Sequence, residues 1–589
     1  MSVIQVGNRL AEISADFMPV ADQGHFKIAF RKAGRKCVTH THLHRFQFYS
    51  DLPVVLDGRQ EFKKLTAFSE IPFLKELLSS LENELLGADV VWDADGFKLV
   101  LNSVKFSRAR WYYVYRDHSF FFSDDLRELL PYSQKKLSRE GLFGVLKYGE
   151  TPEYFTVVED IHALPCSTFL ELTAGTLEEM LAKKAIPLSA FQFYYRHKYS
   201  FEGGDLKTTE RLMDGIMQQV AQEQPQIFIS GGIDSTLLNS LYNRHTSSAY
   251  NAHYIYFGEE DKEIEFAKWA IQGTKADLHI WQMDSSDFVL SMELAAGHLI
   301  QPVIDNTGSV FVGSFFRHKL NGTPINAIVD GTAADSCYGS KNYNKPIIKG
   351  EQKPFWMLRA GEYVSSVLRF YNLPLHDRFI PRDSFEEDTN LLELQWYLGP
   401  FGNACFKNAK AYTQSLASKY KWYYNLLDQT GKNGEYAQYT ILKLALYAAK
   451  QTTVKVYDVN PGAEVIFPFL YTSILKDQGR YSWQEKSTDN IVKYPLKKIL
   501  QNYISPDFIY RSKVGLNNQN VSWFDDAQVR NFLRDVFNNS ELKELVFPVF
   551  HKQVSKALEK KDLHIDIKKM VLAFTGIDLW MKKNKISLG

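Results

Sequence analysis

Residues 227–236 read Ile227-Phe228-Ile229-Ser230-Gly231-Gly232-Ile233-Asp234-Ser235-Thr236: an apolar run that breaks into Ser-Gly-Gly, with a helical pattern starting at once. A strand that passes straight into a helix needs a tight turn, and paired glycines let the backbone bend and approach a ligand with no Cβ in the way. The N–H groups exposed at such a turn, the hydroxyls of Ser230 and Ser235, and the positive end of the helix together make an anion site. Asp234 adds a carboxylate where a magnesium ion carried on phosphate would sit. The segment lacks the Gly-Lys-Ser/Thr ending of a Walker A loop.

The surrounding chain alternates in the same way. Helical spacing over 208–222 precedes the strand 226–229, and helix 235–242, strand 252–257, a helix from about Glu263 and strand 278–282 follow. This alternation predicts a parallel α/β unit. Beyond about Gly361 helical signals dominate, with 391–397 and 436–450 the clearest.

The first two hundred residues have another texture. Short apolar or alternating runs broken by turn residues, at 52–56, 97–101, 111–115 and 120–122, predict hairpin-forming β structure. Helical periodicity shows at 71–86 and 139–148. A polar, glycine-containing stretch over 194–207 marks the boundary, giving domains 1–200 and 201–589. The fold class expected is therefore α/β and α+β in two domains.

A length of 589 residues suits more than one core, and 45% hydrophobic residues suit a folded chain. Lys plus Arg number 69 against 68 for Asp plus Glu, so charge supplies no reason to expect nucleic acid or a membrane surface as partner. Cys37, Cys166, Cys337 and Cys405 form no CxxC pair, and residues 1–17 show no basic start with an apolar run. Both fit a cytoplasmic setting. Thr39-His40-Thr41-His42-Leu43-His44 has a chelating spacing, but no cysteine or carboxylate cluster joins it, and a polar strand face explains it as well.

The Ser230–Ser235 stretch resembles the SGGxDS signature of N-type ATP pyrophosphatases, which cleave ATP between its α and β phosphates. Further anchors resemble the asparagine synthetases. Tyr254-Ile255-Tyr256-Phe257-Gly258, followed by Glu263-Ile264-Glu265, resembles their second strand and the acidic helix start near the nucleotide. Gln301-Pro302-Val303-Ile304-Asp305 follows. Asp330-Gly331-Thr332-Ala333-Ala334-Asp335-Ser336-Cys337-Tyr338-Gly339 resembles their SGEGxDExFGGY segment, which implies that Asp335 holds magnesium and pyrophosphate. Glu464-Val465-Ile466-Phe467-Pro468-Phe469-Leu470 resembles E-x-R-x-PFLD, with Ile466 and Tyr471 replacing Arg and Asp, so that only a packing role carries over. Residues 505–516 resemble the late R-x-K-x-GF element, which implies that Lys513 reaches the acyl-adenylate.

The front domain resembles the family's glutaminase in outline: 54–59 stands for its NGE-containing strand, 120–130 for its YY…SElkaL, and 149–164 for the segment between its domains. That resemblance implies a β-sandwich of the N-terminal-nucleophile hydrolase type with helices. The family's catalytic cysteine is absent: Ser2 stands at its position, and Asp57 and Arg59 replace its Asn and Glu. The resemblance thus implies a degenerate amidotransferase domain ahead of an ATP-pyrophosphatase domain.

The function implied is ATP-dependent amide formation through an acyl-adenylate, with AMP and pyrophosphate released and ATP and Mg2+ required. Ser230, Gly231, Gly232, Asp234, Ser235, Gly258 and Gly331 are the expected nucleotide contacts. Asp234 and Asp335 are the expected metal ligands, and Lys513, Asp234 and Asp335 the expected catalytic residues. With no glutaminase, the amine comes from ammonia or from the substrate. β-Lactam synthetases and lasso-peptide cyclases are relatives of this kind. The first pair a Tyr with a Glu as base, a pair not locatable here, whereas a terminal amine with a pKa near 8 needs less help. The reading therefore leans to macrolactam closure of a precursor peptide, with a leader peptidase as a further partner, and keeps a small amino-acid-derived substrate as the alternative. A thiolating or tRNA-modifying pyrophosphatase would show a basic face or a cysteine pair. A non-catalytic scaffold would leave the coexistence of Asp234, Asp335 and Lys513 unexplained.

Overall fold

A computed structural model describes residues 2–7, 18–23, 26–32, 38–42, 45–49, 54–56, 61–65, 73–83, 85–93, 96–106, 110–149, 151, 154–258, 261–303, 312–320, 325, 327–339, 406–409, 411–412, 415, 464–488, 491–511, 522–559, 563 and 565–589. Within them the front of the chain builds two antiparallel six-stranded sheets. One runs, in spatial order, Ile161–Ala163, Tyr112–Arg116, Ser119–Ser123, Ser2–Gly7, Phe26–Lys32, Met18–Gln23. The other runs Phe191–Phe193, Thr168–Thr173, Gly96–Asn102, Gly87–Asp93, Arg45–Tyr49, Val38–His42.

Strand alternation divides the first sheet's side chains between two cores. On one face Ile4, Tyr113, Phe120 and Phe122 join Phe48, Val90, Leu99 and Leu170 of the second sheet. Phe48 meets Trp111 edge-on across this layer at 5.5 Å. On the other face Tyr112, Val114 and Phe121 pack with helix Arg139–Tyr148 and with far later residues: Met292 and Ala295 of Ser285–His298, and Phe574 and Ile577 of Ile565–Asn584. The hairpin joining Tyr112–Arg116 to Ser119–Ser123 turns on Asp117 and His118, both at positive φ, which matches the natural twist of a two-residue connection.

The second half centres on a parallel sheet in the spatial order Ala276–Gln282, Tyr250–Tyr256, Gln226–Phe228, Ala327–Val329, Glu464–Ile466. Numbered by sequence this is 3-2-1-4-5, the order of a doubly wound sheet. The direction of winding reverses between Gln226–Phe228 and Ala327–Val329, and ligands of such sheets bind where the strand ends open at that reversal. Helices Leu206–Ala221 and Ile233–His245 pack together, and helix Tyr494–Leu500 packs against both. Helices Thr472–Gln478, Ala527–Asn539, Pro548–Ala557 and Ile565–Asn584 give the later part its helical character.

Two halves of the chain are stitched at several points. The backbone N–H of Val157 donates to the Gln301 side chain at 3.1 Å, while within the second half Trp580 Nε1 donates to the Leu299 carbonyl at 3.0 Å. Leu137 N donates to the Ser587 carbonyl at 2.8 Å, and Ser587 N donates to the Lys135 carbonyl at 3.0 Å.

One expected element shrinks. The helical spacing over 71–86 yields only Leu74–Leu77, because the chain then turns so that Leu81 bridges Val55 and Glu82 N donates to Val54 O. Leu74, Leu77, Leu78, Leu81 and Leu85 still share one buried cluster, so the apolar spacing reports a common core and not a continuous helix. The helical patterns at 391–397 and 436–450 lie outside the described residues. Among the described residues no helix is long and apolar enough to cross a membrane.

Candidate active site

Strand Gln226–Phe228 leaves the sheet through Ile229 and Ser230, turns at Gly231 and Gly232, and becomes helix Ile233–His245. Gly231 is required twice over. Its φ is +69°, and a Cβ there would lie 2.9 Å from the Glu263 carbonyl oxygen and 3.0 Å from the Ala267 nitrogen. The turn is tied by its own hydroxyls. Ser230 N donates to Ser235 Oγ at 3.2 Å, the two serine hydroxyls are 3.1 Å apart, and Thr236 Oγ1 donates to the Gly232 carbonyl at 2.7 Å. Asp234 falls in the first helical turn, where the helix dipole favours a negative charge.

The loop beyond strand Ala327–Val329 meets this turn from the far side of the winding reversal. A Cβ on Gly331 would lie 3.2 Å from Asp234 Cβ and 3.5 Å from Ser235 N, so the glycine sets how closely the two loops approach. Asp330 accepts from Thr332 N at 2.8 Å and closes the loop on itself. Ala333 holds a left-handed conformation at the start of helix Ala334–Tyr338, and Asp335 occupies the first turn of that helix. Gly258 stands at φ +119° beyond strand Tyr250–Tyr256, with Asp261 N donating to its carbonyl at 2.9 Å. Its glycine is called for by backbone conformation alone, since a Cβ there would meet nothing within 4 Å.

The sequence did not single out Lys493, which ties these loops together. Its Nζ donates to Asp234 Oδ2 at 2.6 Å and pairs with Asp335 Oδ1 as well. Its side chain is 8% exposed, against 23% for Asp234 and 38% for Asp335. Burial works against the lysine's charge, yet the two carboxylates more than offset it and hold its pKa above the ordinary lysine value. Lys493 is also left-handed, and it is the residue from which helix Tyr494–Leu500 starts. A cation at a helix N-terminus opposes the dipole, so the two aspartates are what make this placement tolerable.

Arg511 secures the turn from behind. It donates to the Gly231 carbonyl, pairs with the buried Glu263 at 3.3 Å, and lies 3.8 Å from the Phe266 ring centroid. The acidic start of helix Glu263–Ala270 thus serves as a partner for this arginine. Lys513 lies outside the described residues, as do Asp57, Arg59, Cys37 and Cys405. Ile466, Phe469, Leu470 and Tyr471 are buried, and the Tyr471 hydroxyl donates to the Gln219 side chain at 3.3 Å, a packing arrangement for the segment whose Arg and Asp are replaced.

Asp234 and Asp335, both within ion-pair reach of one ammonium, converge from two loops on a single point. Among the described residues no group of three or more His, Cys, Asp or Glu could enclose a metal. Two carboxylates, with phosphate oxygens and water to complete the shell, fit magnesium, which keeps much of its hydration and seldom sits in an all-protein cage.

The asparagine synthase family profile matches residues 209–582, more than half of the chain. Proteins assigned as glutamine-hydrolysing asparagine synthetases in Mycobacterium bovis and Mycobacterium tuberculosis are 21% identical to it over 419 residues, or 69% of this chain. The chain spans 61% of the length of these curated relatives.

Proposed function

The chain belongs to the asparagine synthase family, and from that premise we propose that it is an AMP-forming carbon–nitrogen ligase that activates a carboxylate with ATP. The observation that carries the reading is the meeting of Asp234 and Asp335, from loops on either side of the winding reversal, at the ammonium of Lys493. Such a site suits a metal–triphosphate unit whose leaving pyrophosphate needs its charge neutralised.

In this reading Ser230, Gly231, Gly232 and Ser235 hold the pyrophosphate portion through N–H groups and hydroxyls, with Gly258 and Gly331 shaping the adjoining walls. Asp234 and Asp335 would hold magnesium, which when bound would offset the charge that develops on the leaving group. A substrate carboxylate oxygen bonds to the α-phosphorus as the bond to the bridging oxygen breaks, and pyrophosphate departs. An amine nitrogen then bonds to the acyl carbon, AMP departs, and the nitrogen loses a proton. Lys493 supplies positive charge beside the pyrophosphate, and Lys513 is assigned to the oxyanion of the second step.

Ser2, in place of a cysteine thiol at the start of strand Ser2–Gly7, supports an amine that does not come from glutamine. We take that amine to be the substrate's own, attacking an activated side-chain carboxyl to close a macrolactam in a precursor peptide. A small amino-acid-derived acid, closed on itself or joined to ammonia, is the alternative. ATP–pyrophosphate exchange tests the reading. Exchange that depends on a precursor peptide supports it, exchange only with a small acid moves the substrate to the alternative, and no exchange with any acid refutes the ligase.

A further inference from the structure

Away from the nucleotide turn, a cavity of about 450 Å³ opens between residues 78–81 and 194–202 and the helix Thr472–Gln478. None of the residues lining it belongs to the site described above. Five cationic residues, Lys105, Arg196, Lys198, Lys476 and Arg480, line it with a single lining carboxylate, Glu202, and Asp477 acts on Arg480 from outside the lining. Lys105 forms a buried floor, with its Nζ held by the carbonyls of Glu82 and Asn83 at 2.9 Å each. Arg480 is half-buried, and its buried Nε donates to no acceptor among the described residues. Arg196, Lys198 and Lys476 are exposed at the rim. The Tyr194 hydroxyl is anchored on the Ser103 carbonyl at 2.8 Å and the Tyr195 hydroxyl on His197 at 2.9 Å, so both rings are fixed as walls.

Like charges gathered in a concavity repel one another and raise the local potential, which is costly unless an anion is there to use it. We propose that this cavity binds a small polyphosphate-bearing anion. A single carboxylate would leave most of these cations uncompensated. A di- or triphosphate group matches the excess of positive charge lining the cavity, and arginine guanidinium groups suit phosphate oxygens. The cavity has room for more than the phosphates alone. The inference does not rest on the ligase reading, since it uses none of that site's residues.

Calorimetric titration of the full chain with inorganic tripolyphosphate, in magnesium-free buffer at fixed salt, tests it. The Lys198→Gln/Arg480→Gln variant should lose affinity for the probe by about tenfold or more, whereas Lys493→Gln, altered at the other site, should retain this binding. Citrate, a polycarboxylate, should bind at least about tenfold more weakly. Replacing the probe by pyrophosphate or by ADP separates a bare polyphosphate from a nucleotide, and binding of either that is lost in the double variant supports the proposal. Unchanged affinity in the double variant, or citrate binding as tightly as tripolyphosphate, overturns it. Should Arg480→Gln prevent folding, Lys198→Gln/Lys476→Gln changes only exposed residues and gives the same readout.

Discussion

The ammonium nitrogen of Lys493 lies 2.6 Å from Oδ2 of Asp234, across a sequence separation of 259 residues. Asp335 shares the same ammonium, so one buried cation holds in register the two loops that the winding reversal brings face to face. Without nucleotide this is a sound arrangement, because two carboxylates aimed at one point would otherwise repel. In the proposed reading, magnesium bound with triphosphate would share with the lysine the work of neutralising charge.

Replacing Lys493 by Met should therefore have two separable effects. Stability should fall by about 1–3 kcal/mol, less than for a fully buried pair because Asp335 is open to water. Binding of Mg2+ alone should strengthen, by about tenfold, since the competing ammonium has gone. Urea melts and magnesium titration by calorimetry read the two effects independently. Weaker metal binding in the variant would show that the carboxylates need Lys493 to be held in place.

Asp234→Ala should reduce pyrophosphate release by about 10²–10³-fold or more, as removal of a metal carboxylate and of its charge-stabilising role requires. Ser2→Ala should leave product formation unchanged, since the amine does not come from glutamine in this reading. Coupled pyrophosphate assays check both, and loss of activity in the serine variant would return a catalytic role to the front of the chain.

Gly231→Ala should destabilise the chain by about 2–4 kcal/mol, combining a left-handed conformation with a Cβ driven against the Glu263 carbonyl. Ala333→Gly should do the opposite. Ala333 sits at φ 78°, where the asparagine synthetase motif carries glycine, so the substitution should gain about 0.5–1 kcal/mol. Thermal or urea unfolding of the two variants should move in opposite directions.

Lys486 sets a pH dependence. It is fully buried, and burial pulls its pKa down to about 7, with Gln478 accepting from its Nζ at 2.7 Å. Between about pH 7 and the ordinary lysine value, the unfolded chain keeps a proton that the folded lysine has released. The unfolded state thus binds more protons, and this residue makes stability rise with pH by up to about 1.4 kcal/mol per unit. Below pH 7 both states are protonated and the contribution is flat. The Cys337 thiol, pushed up to about 12 by burial, acts in the other direction once free thiols ionise, so the clean window is about pH 7 to 8.5. Urea melts across that window should show the slope in the parent chain and lose it in Lys486→Met.

Much of this site was legible in residues 227–236, because a strand, a glycine turn and a helix are all local events governed by neighbours in sequence. Asp335 was found by its resemblance to a motif, and the structure sets it opposite Asp234. Lys493 was not, since nothing local separates one lysine from the 69 basic residues of the chain. The one available signal was a cation immediately before Tyr494-Pro495 at a helix start, an unfavourable position that asks for a compensating partner. The shrunken helix at Leu74–Leu77 shows the reverse case, in which apolar spacing is satisfied by a turn that buries the same leucines. The core joining Phe121 to Phe574 was equally invisible, as it depends on which faces meet after folding.

The most direct test is a crystal structure with Mg2+ and α,β-methylene ATP. The account requires the pyrophosphate portion on the turn from Ser230 to Ser235, with magnesium between the carboxylates of Asp234 and Asp335. A nucleotide bound elsewhere, or a metal that engages neither aspartate, would contradict it.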